Sequence, residues 1–431
     1  MSRPAVPAGS IPAPPIRSDA EIRKAGYAVG IAFIGAGFAF ASWASRIPQV
    51  RDELRVNPGV LGLILLCIAV GSTIATPLSG LVITRLGETR TVAVMAVISA
   101  AGLAVVAVGY LHGIPPVAAG LFLFGFGSAS WDVAMNVQGA AVESALGRAI
   151  MSRFHAGWSI GTVAGAGVGA GMVALHVPVT AHLLAVALLV AVAMPVATRG
   201  FLPGGRAAAG QGETGPGDAG PGDAGPGDAV ARRSPLAAWT EPRTLLIGLF
   251  VLCMTVAEGA GNDWLSLGVI DGYHTVAAVG TLTFAIFLAS MTAGRWFGPG
   301  FIDRYGRVRV LRACAVTAIA GLLLIAYGTL LPLAMAGAVL MGLGTSLGFP
   351  VGLSSAADDP RYAPGRVSTA ASIGYVAFLA GPPTVGFLAD HVGVLHSLTF
   401  AGALLAGAFF LCSATAPLSS SSRAPSSPGP G

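Results

Sequence analysis

Four ionisable side chains stand where hydrocarbon would surround them. Asp132, Glu258, Asp263 and Arg295 each fall inside a long apolar stretch. A charge at the centre of a membrane helix costs about 2.5–3.5 kcal/mol on insertion scales, so each is expected to face a cavity or a partner. Asp132 lies roughly 24 Å along its helix from Pro116. Asn136 follows at i+4, on the same helical face. A carboxyl that can carry a proton, beside an amide, suits a hydroxylated solute and proton coupling. The competing reading pairs Asp132 with an arginine that ties helices together. Glu258 and Asn262 also share a face. Gly259 and Gly261 lie with them, and each glycine costs ~1 kcal/mol relative to alanine in a helix. A weakened helix that exposes backbone at a binding site is expected there. Asp263, further round and nearer the outer end, lines the cavity, caps a helix or meets Arg46. Arg295 either snorkels towards the membrane boundary or bridges to Asp132 or Glu258. A bridge that proton or solute binding releases would shift a conformational equilibrium. Trp43 and Trp264 either stack on sugar faces or cations in a polar cavity or anchor at the interface.

These groups need a scaffold, and the apolar pattern supplies one. Spans are expected near 25–45, 59–83, 91–111, 116–141, 155–176, 179–198, 244–270, 275–301, 309–330, 332–355, 367–390 and 395–416. Each has the ~20 apolar residues that a bilayer-crossing helix requires. Charged residues make up 10% of the chain, too few to coat a soluble surface of this size. The expectation is an all-α membrane protein with 12 transmembrane helices. With the N-terminus inside, the outer loops hold only Arg46, Arg51 and Arg55, and the inner segments hold the rest of the loop arginines. The positive-inside rule then places both termini in the cytoplasm, with the chain in the cell (inner) membrane. The formal net charge of +5 reads as membrane orientation rather than a nucleic-acid patch.

Several chemistries lose support. Lysine occurs once, at Lys24, which excludes a P-loop and with it ATP bound by this chain. Transport would then draw on a gradient. Cys67, Cys253, Cys314 and Cys412 lie singly in apolar spans, and the histidines are scattered, so neither disulfide nor metal spacing is present and no cofactor is implied. No paired nucleophile and base marks an enzyme. Residues 1–24, proline-rich, and 417–431, rich in Ser, Pro and Gly, read as disordered cytoplasmic tails. Residues 199–243 read as a flexible cytoplasmic linker, since Gly-Pro-Gly-Asp-Ala repeats three times from Gly215 to Ala229. It separates two six-helix bundles, 25–198 and 244–416. Gly161, Gly165 and Gly169 form a groove for close helix contact, either as plain packing or at the seam between the bundles.

The bundles echo each other. Gly80 to Arg90 ends span two as Gly300 to Arg309 ends span eight, and Trp43-Ala-Ser45 matches Trp264-Leu-Ser266. Asp303, Arg304, Gly306 and Arg307 resemble the loop pattern of the major facilitator superfamily. The first copy keeps Gly80, Arg85, Gly87 and Arg90, with Thr84 in the acid's place. Gly381-Pro382-Pro383 with Gly386 resembles that family's Gly-Pro packing element. Asp132 and Asn136 are similar to the acid and amide in the fourth helix of fucose-permease-like sugar/proton symporters. The resemblance implies two pseudo-symmetric bundles that move a small polar solute by alternating access, with a sugar-like solute and protons favoured. It also implies a gate in which Arg85, Arg90, Asp303, Arg304, Gly306 and Arg307 hold the cytoplasmic side closed; plain topology determination is the other role for these charges. Asp132, Asn136, Glu258, Asn262, Asp263, Trp43, Trp264 and Arg295 are the expected proton and solute contacts. A monomer in the lipid bilayer is expected, binding neither nucleic acid nor ATP. A drug or metabolite/proton efflux antiporter is the alternative, and a non-transporting receptor or scaffold a further one.

Overall fold

The computed structural model describes residues 18–147, 150–202, 235–359 and 362–418. Most of the expected tails and linker therefore lies outside the described residues. The first half comprises α1 (Asp19–Ala44), α2 (Ile47–Leu54), α3 (Pro58–Leu86), α4 (Glu88–Gly109), α5 (Ile114–Leu146), α6 (Met151–Ala174) and α7 (Val179–Ala197). The second comprises α8 (Pro242–Tyr273), α9 (Ala277–Tyr305), α10 (Arg307–Tyr327), α11 (Leu331–Thr345), α12 (Gly348–Ala356), α13 (Ala363–Val392), α14 (Val394–Ser397) and α15 (Thr399–Leu411). No strand occurs among the described residues. The end of the bundle from which α1 starts is the termini end, and the opposite one the far end.

Among the described residues, eleven helices are long and apolar enough to cross a membrane. The twelfth expected span is α6, whose 24 residues reach about 36 Å. Its length suffices, but its six glycines from Gly157 to Gly171 dilute its apolar character. Those glycines serve packing. A Cβ on Gly161 would lie 2.1 Å from the Ile34 carbonyl oxygen, and one on Gly165 would lie 2.5 Å from that of Phe38. The stripe thus seats α6 on α1, inside the first half, rather than forming the seam between halves.

Local chemistry moves two boundaries from where apolarity alone puts them. Residues 19–24, expected in the disordered tail, are helical because Ser18 and Glu21 form a capping box. The Glu21 N–H donates to Ser18 Oγ at 3.3 Å, and the Ser18 N–H donates to Glu21 Oε2 at 3.0 Å. The expected linker begins and ends in short 3-10 helices, Thr198–Gly200 and Pro235–Thr240.

The expected weakness in α8 does not appear. That helix runs unbroken past Gly259 and Gly261, and Gly261 serves close contact: a Cβ there would lie 2.5 Å from the Phe287 ring. The discontinuity falls instead in the tenth span, between α11 and α12. Pro350 has no N–H to give the Ser346 carbonyl four residues earlier, and its ring crowds that carbonyl, so the helix breaks there.

The halves meet along α3 with α13 and α6 with α9. A Cβ on Gly62 would lie 2.6 Å from the Pro382 carbonyl oxygen, and one on Gly386 would lie 2.4 Å from that of Pro58. The Gly-Pro element of α13 is therefore what lets the two helices approach at the far end.

Candidate functional site

Two polar clusters form at mid-span, one in each half. In the second half, α8 and α9 bring Glu258 and Arg295 together. Arg295 Nη2 donates to Glu258 Oε1 at 2.7 Å, and the pair is mostly shielded, with 15% of the acid's side chain and 25% of the arginine's exposed. Arg295 Nε also donates to the Ser346 carbonyl at 3.3 Å. That is the carbonyl which Pro350 leaves without a helical donor. The break in the tenth span therefore offers an acceptor that holds the guanidinium against Glu258. Of the two bridges open to Arg295, it makes the one to Glu258.

In the first half, α5 carries Asp132 with an exposed side chain and Asn136 half-buried. Asn136 Nδ2 donates to the Asp132 carbonyl at 2.9 Å and to Asp132 Oδ1 at 3.3 Å. The amide so folds onto the acid and leaves its own oxygen free to accept. Asp132 does not pair with an arginine among the described residues. Across the interface it lies within electrostatic reach of the Tyr375 phenol on α13. His155 on α6 lies within electrostatic reach of Arg295 and packs edge-on against Phe33 at 5.1 Å. Each cluster thus addresses the opposite half.

Other expected members take different places. Trp43 and Trp264 are buried, at 1% and 0% exposure, so neither stacks in a wet cavity nor anchors at an interface. Both sit in the packed far portion of α1 and α8, where residues 41–48 and 264–269 are all buried. Asn262 is half-buried, its Oδ1 shielded and without a hydrogen-bond partner among the described residues. Asp263 is half-buried and hydrogen-bonds to none of the described residues, Arg46 included. Arg46 Nε instead donates to His182 Nδ1 at 2.9 Å within the first half.

The bonds that cross between described residues of the two halves lie at the far end. Arg51 grips Asp271 with both terminal nitrogens, at 2.5 and 3.0 Å. Asp390 Oδ1 accepts the Gly59 N–H at 3.1 Å, placing a carboxylate of α13 at the N-terminus of α3. At the termini end, the expected gate residues make no hydrogen bond or ion pair between the halves among the described residues. Arg85, Arg90, Asp303 and Arg304 are exposed. Gly306, at φ +83°, supplies the tight turn between α9 and α10. Arg307 binds Asp358 at 3.0 Å within its own half, where Arg243 meets the same acid at 2.8 Å. A second internal pair there joins Arg366 to Glu241 at 2.6 Å.

Two helical bundles around mid-span acids describe a known architecture. Residues 28–267 match the family described as the Major Facilitator Superfamily. The chain belongs to that superfamily. This facilitator is 31% identical over 363 residues to the uncharacterised transporter y4wD of Sinorhizobium fredii, covering 84% of this chain and 90% of the relative. An uncharacterised MFS-type transporter of Yersinia pestis is 29% identical over 362 residues, covering 84% and 88%. Among solved structures, the nucleoside transporter NupG superposes with a TM-score of 0.70 at 15% identity, covering 90% of this facilitator and 97% of NupG. A point variant of the E. coli fucose:proton symporter FucP gives 0.59 at 15% identity, covering 92% of this facilitator and 100% of FucP. The facilitator is accordingly a multi-pass membrane transporter, not an enzyme. Reasoning from sequence missed Arg51, Asp271 and Asp390, because charges near span ends look like ordinary loop charges. It also missed Ser346 with Pro350, although a proline inside an apolar span was a legible signal.

Proposed function

We propose that this facilitator moves a small polar, sugar-like solute by alternating access coupled to protons, with Asp132 as the proton-carrying group. The observation that carries the proposal is that each of the two mid-span clusters lies within electrostatic reach of a group on the opposite half, Asp132 of Tyr375 and Arg295 of His155. Asp132 and Asn136 offer acceptors and a donor from the first half. Glu258 and Arg295 offer the same from the second. Solute hydroxyls can complete both sets at once, which draws the halves together around them. In the ion pair, a hydroxyl that donates to Glu258 competes with Arg295 for the carboxylate and loosens the guanidinium, giving the solute a differential grip on two conformations. NupG is a nucleoside transporter and FucP a fucose:proton symporter, both with hydroxylated ring solutes, which supports this solute class. The far-end bonds and the disengaged termini-end loops support a cleft that opens towards the termini. Loop arginines favour the cytoplasm as that side. Residues 25–198 and 244–416 act as the two moving bodies, and a single chain suffices.

Purified protein in proteoliposomes tests the reading with a panel of radiolabelled hexoses, pentoses and nucleosides. An imposed proton gradient should drive accumulation of at least one of them. Asp132→Asn should keep solute exchange at equilibrium yet lose accumulation. Full proton-driven accumulation in Asp132→Asn would remove that residue from coupling. A panel without a transported member would remove the solute class.

A further inference from the structure

We propose that a groove between α9 and α10 is a binding site for one anionic phospholipid of the leaflet at the termini end. The two helices are joined by the turn at Gly306 but lean apart, and each packs on α11 instead of on the other. Between them opens a groove of about 540 Å³, floored by α11 at Leu343. One wall is Phe297, Phe301 and Tyr305, at i, i+4 and i+8 on α9. The other is Arg309, Ala313 and Thr317, with the same spacing on α10. The aromatic wall stays largely open, with Phe297 65% and Phe301 57% exposed. From Phe297 to Tyr305 it runs about 12 Å, most of the ~15 Å depth of one leaflet, so an acyl chain fits along it.

The mouth selects the headgroup. The segment from Asp303 to Arg312 carries four arginines, Arg304, Arg307, Arg309 and Arg312, against one acid. Arg307 is committed to Asp358. Arg309 lines the mouth and Arg304 lies beside it over the Tyr305 ring; both are exposed and make no ion pair among the described residues. An arginine fork binds phosphate oxygens in two-point fashion. Zwitterionic lipids also carry phosphate, but bring a cation with it. The Tyr305 ring, the aromatic face that would welcome that cation, is already covered by the Arg304 guanidinium at 5.3 Å. Charge complementarity and an apolar groove opening sideways at the bilayer therefore favour an anionic lipid over a zwitterionic one, and over a soluble phosphate, which has no chain to place.

Native mass spectrometry of the full chain in detergent, titrated with phosphatidylglycerol or phosphatidylcholine, reads the site directly. The wild type should retain one phosphatidylglycerol at least about tenfold more tightly than phosphatidylcholine. Arg304→Gln with Arg309→Gln should lose most of that preference, and Arg309→Lys should keep much of it. Thr317→Trp fills the groove and should weaken retention of both lipids, its melting curve showing that it is folded. Millimolar glycerol phosphate should leave the bound lipid in place. Equal retention of the two lipids by the wild type, an undiminished preference in the double glutamine variant, or ready displacement by glycerol phosphate would each overturn the proposal.

Discussion

Replacing Asp271 by asparagine should tip the balance between the two ends of the transporter. Arg51 binds this acid through two nitrogens, at 2.5 and 3.0 Å, with 14% and 35% of the respective side chains exposed. A fully exposed pair is worth about 0–1 kcal/mol, and breaking a fully buried one costs about 3–5 kcal/mol. The bidentate geometry and half-shielded setting, discounted for screening at Asp271, put this pair at about 1–2 kcal/mol. It forms only where the halves touch at the far end, so its whole value belongs to that state. Its loss should raise the ratio of far-open to far-closed molecules about tenfold, since ~1.4 kcal/mol is one decade. Asp390→Asn removes a charge from the N-terminus of α3 and should add about a twofold to fivefold shift, from ~0.3–1 kcal/mol of charge–dipole interaction. Spin labels at Glu53→Cys and His274→Cys, both exposed, in a background lacking the four native cysteines, report the far-end distance. Electron–electron double resonance should show a longer-distance population growing in Asp271→Asn and growing further in the double variant. Populations within about twofold of the starting protein in both would refute the assignment of these bonds as a latch.

Glu258→Gln keeps an amide oxygen for Arg295 Nη2 but removes the charge that balances the half-shielded guanidinium, and should lower stability by about 2 kcal/mol, read as a fall in melting temperature, with transport lost. Glu258→Gln combined with Arg295→Gln should recover most of that stability but not transport, because no cation then remains unpaired. Pro350→Ala returns an N–H to the Ser346 carbonyl, so it should make α11 and α12 one helix and raise the KM for solute without lowering the melting temperature; an unchanged KM would show that the carbonyl does not position Arg295. Gly161→Ala places a methyl 2.1 Å from the Ile34 carbonyl oxygen and should destabilise by about 1–3 kcal/mol in a detergent unfolding assay, whereas Gly167→Ala, with open space at its Cβ, should be near neutral.

Membrane spans and their pairing into halves were legible because apolar length and internal repetition are properties of the chain read in order. So was the scarcity that singled out Asp132, Glu258 and Arg295, since a charge in oil is costly wherever the helix ends up. Partner choice was not legible in the same way. Arg295 had two acids to choose from, and the packing of α9 against α8 within one half selects Glu258. Trp43 and Trp264 illustrate the same point from the other side. Their matched positions in the repeat are plain from sequence, but whether a matched pair lines a cleft or packs a core depends on which end of the bundle is closed. The glycines of α8 and α6 looked like points of weakness or a moving seam. Gly261, Gly161 and Gly165 proved to be contacts, because a missing Cβ matters only once another helix occupies its space.

By itself, then, the chain determined its solvent, its helices and the short roster of charges that need company. Only the tertiary structure decided which charges keep company, that Pro350 frees a carbonyl for Arg295, and that Arg51 and Asp390 bind the halves at the far end. The physical reason is range: hydropathy and helix breaking act within a few residues, whereas an ion pair joins groups such as positions 51 and 271 that only packing brings within reach.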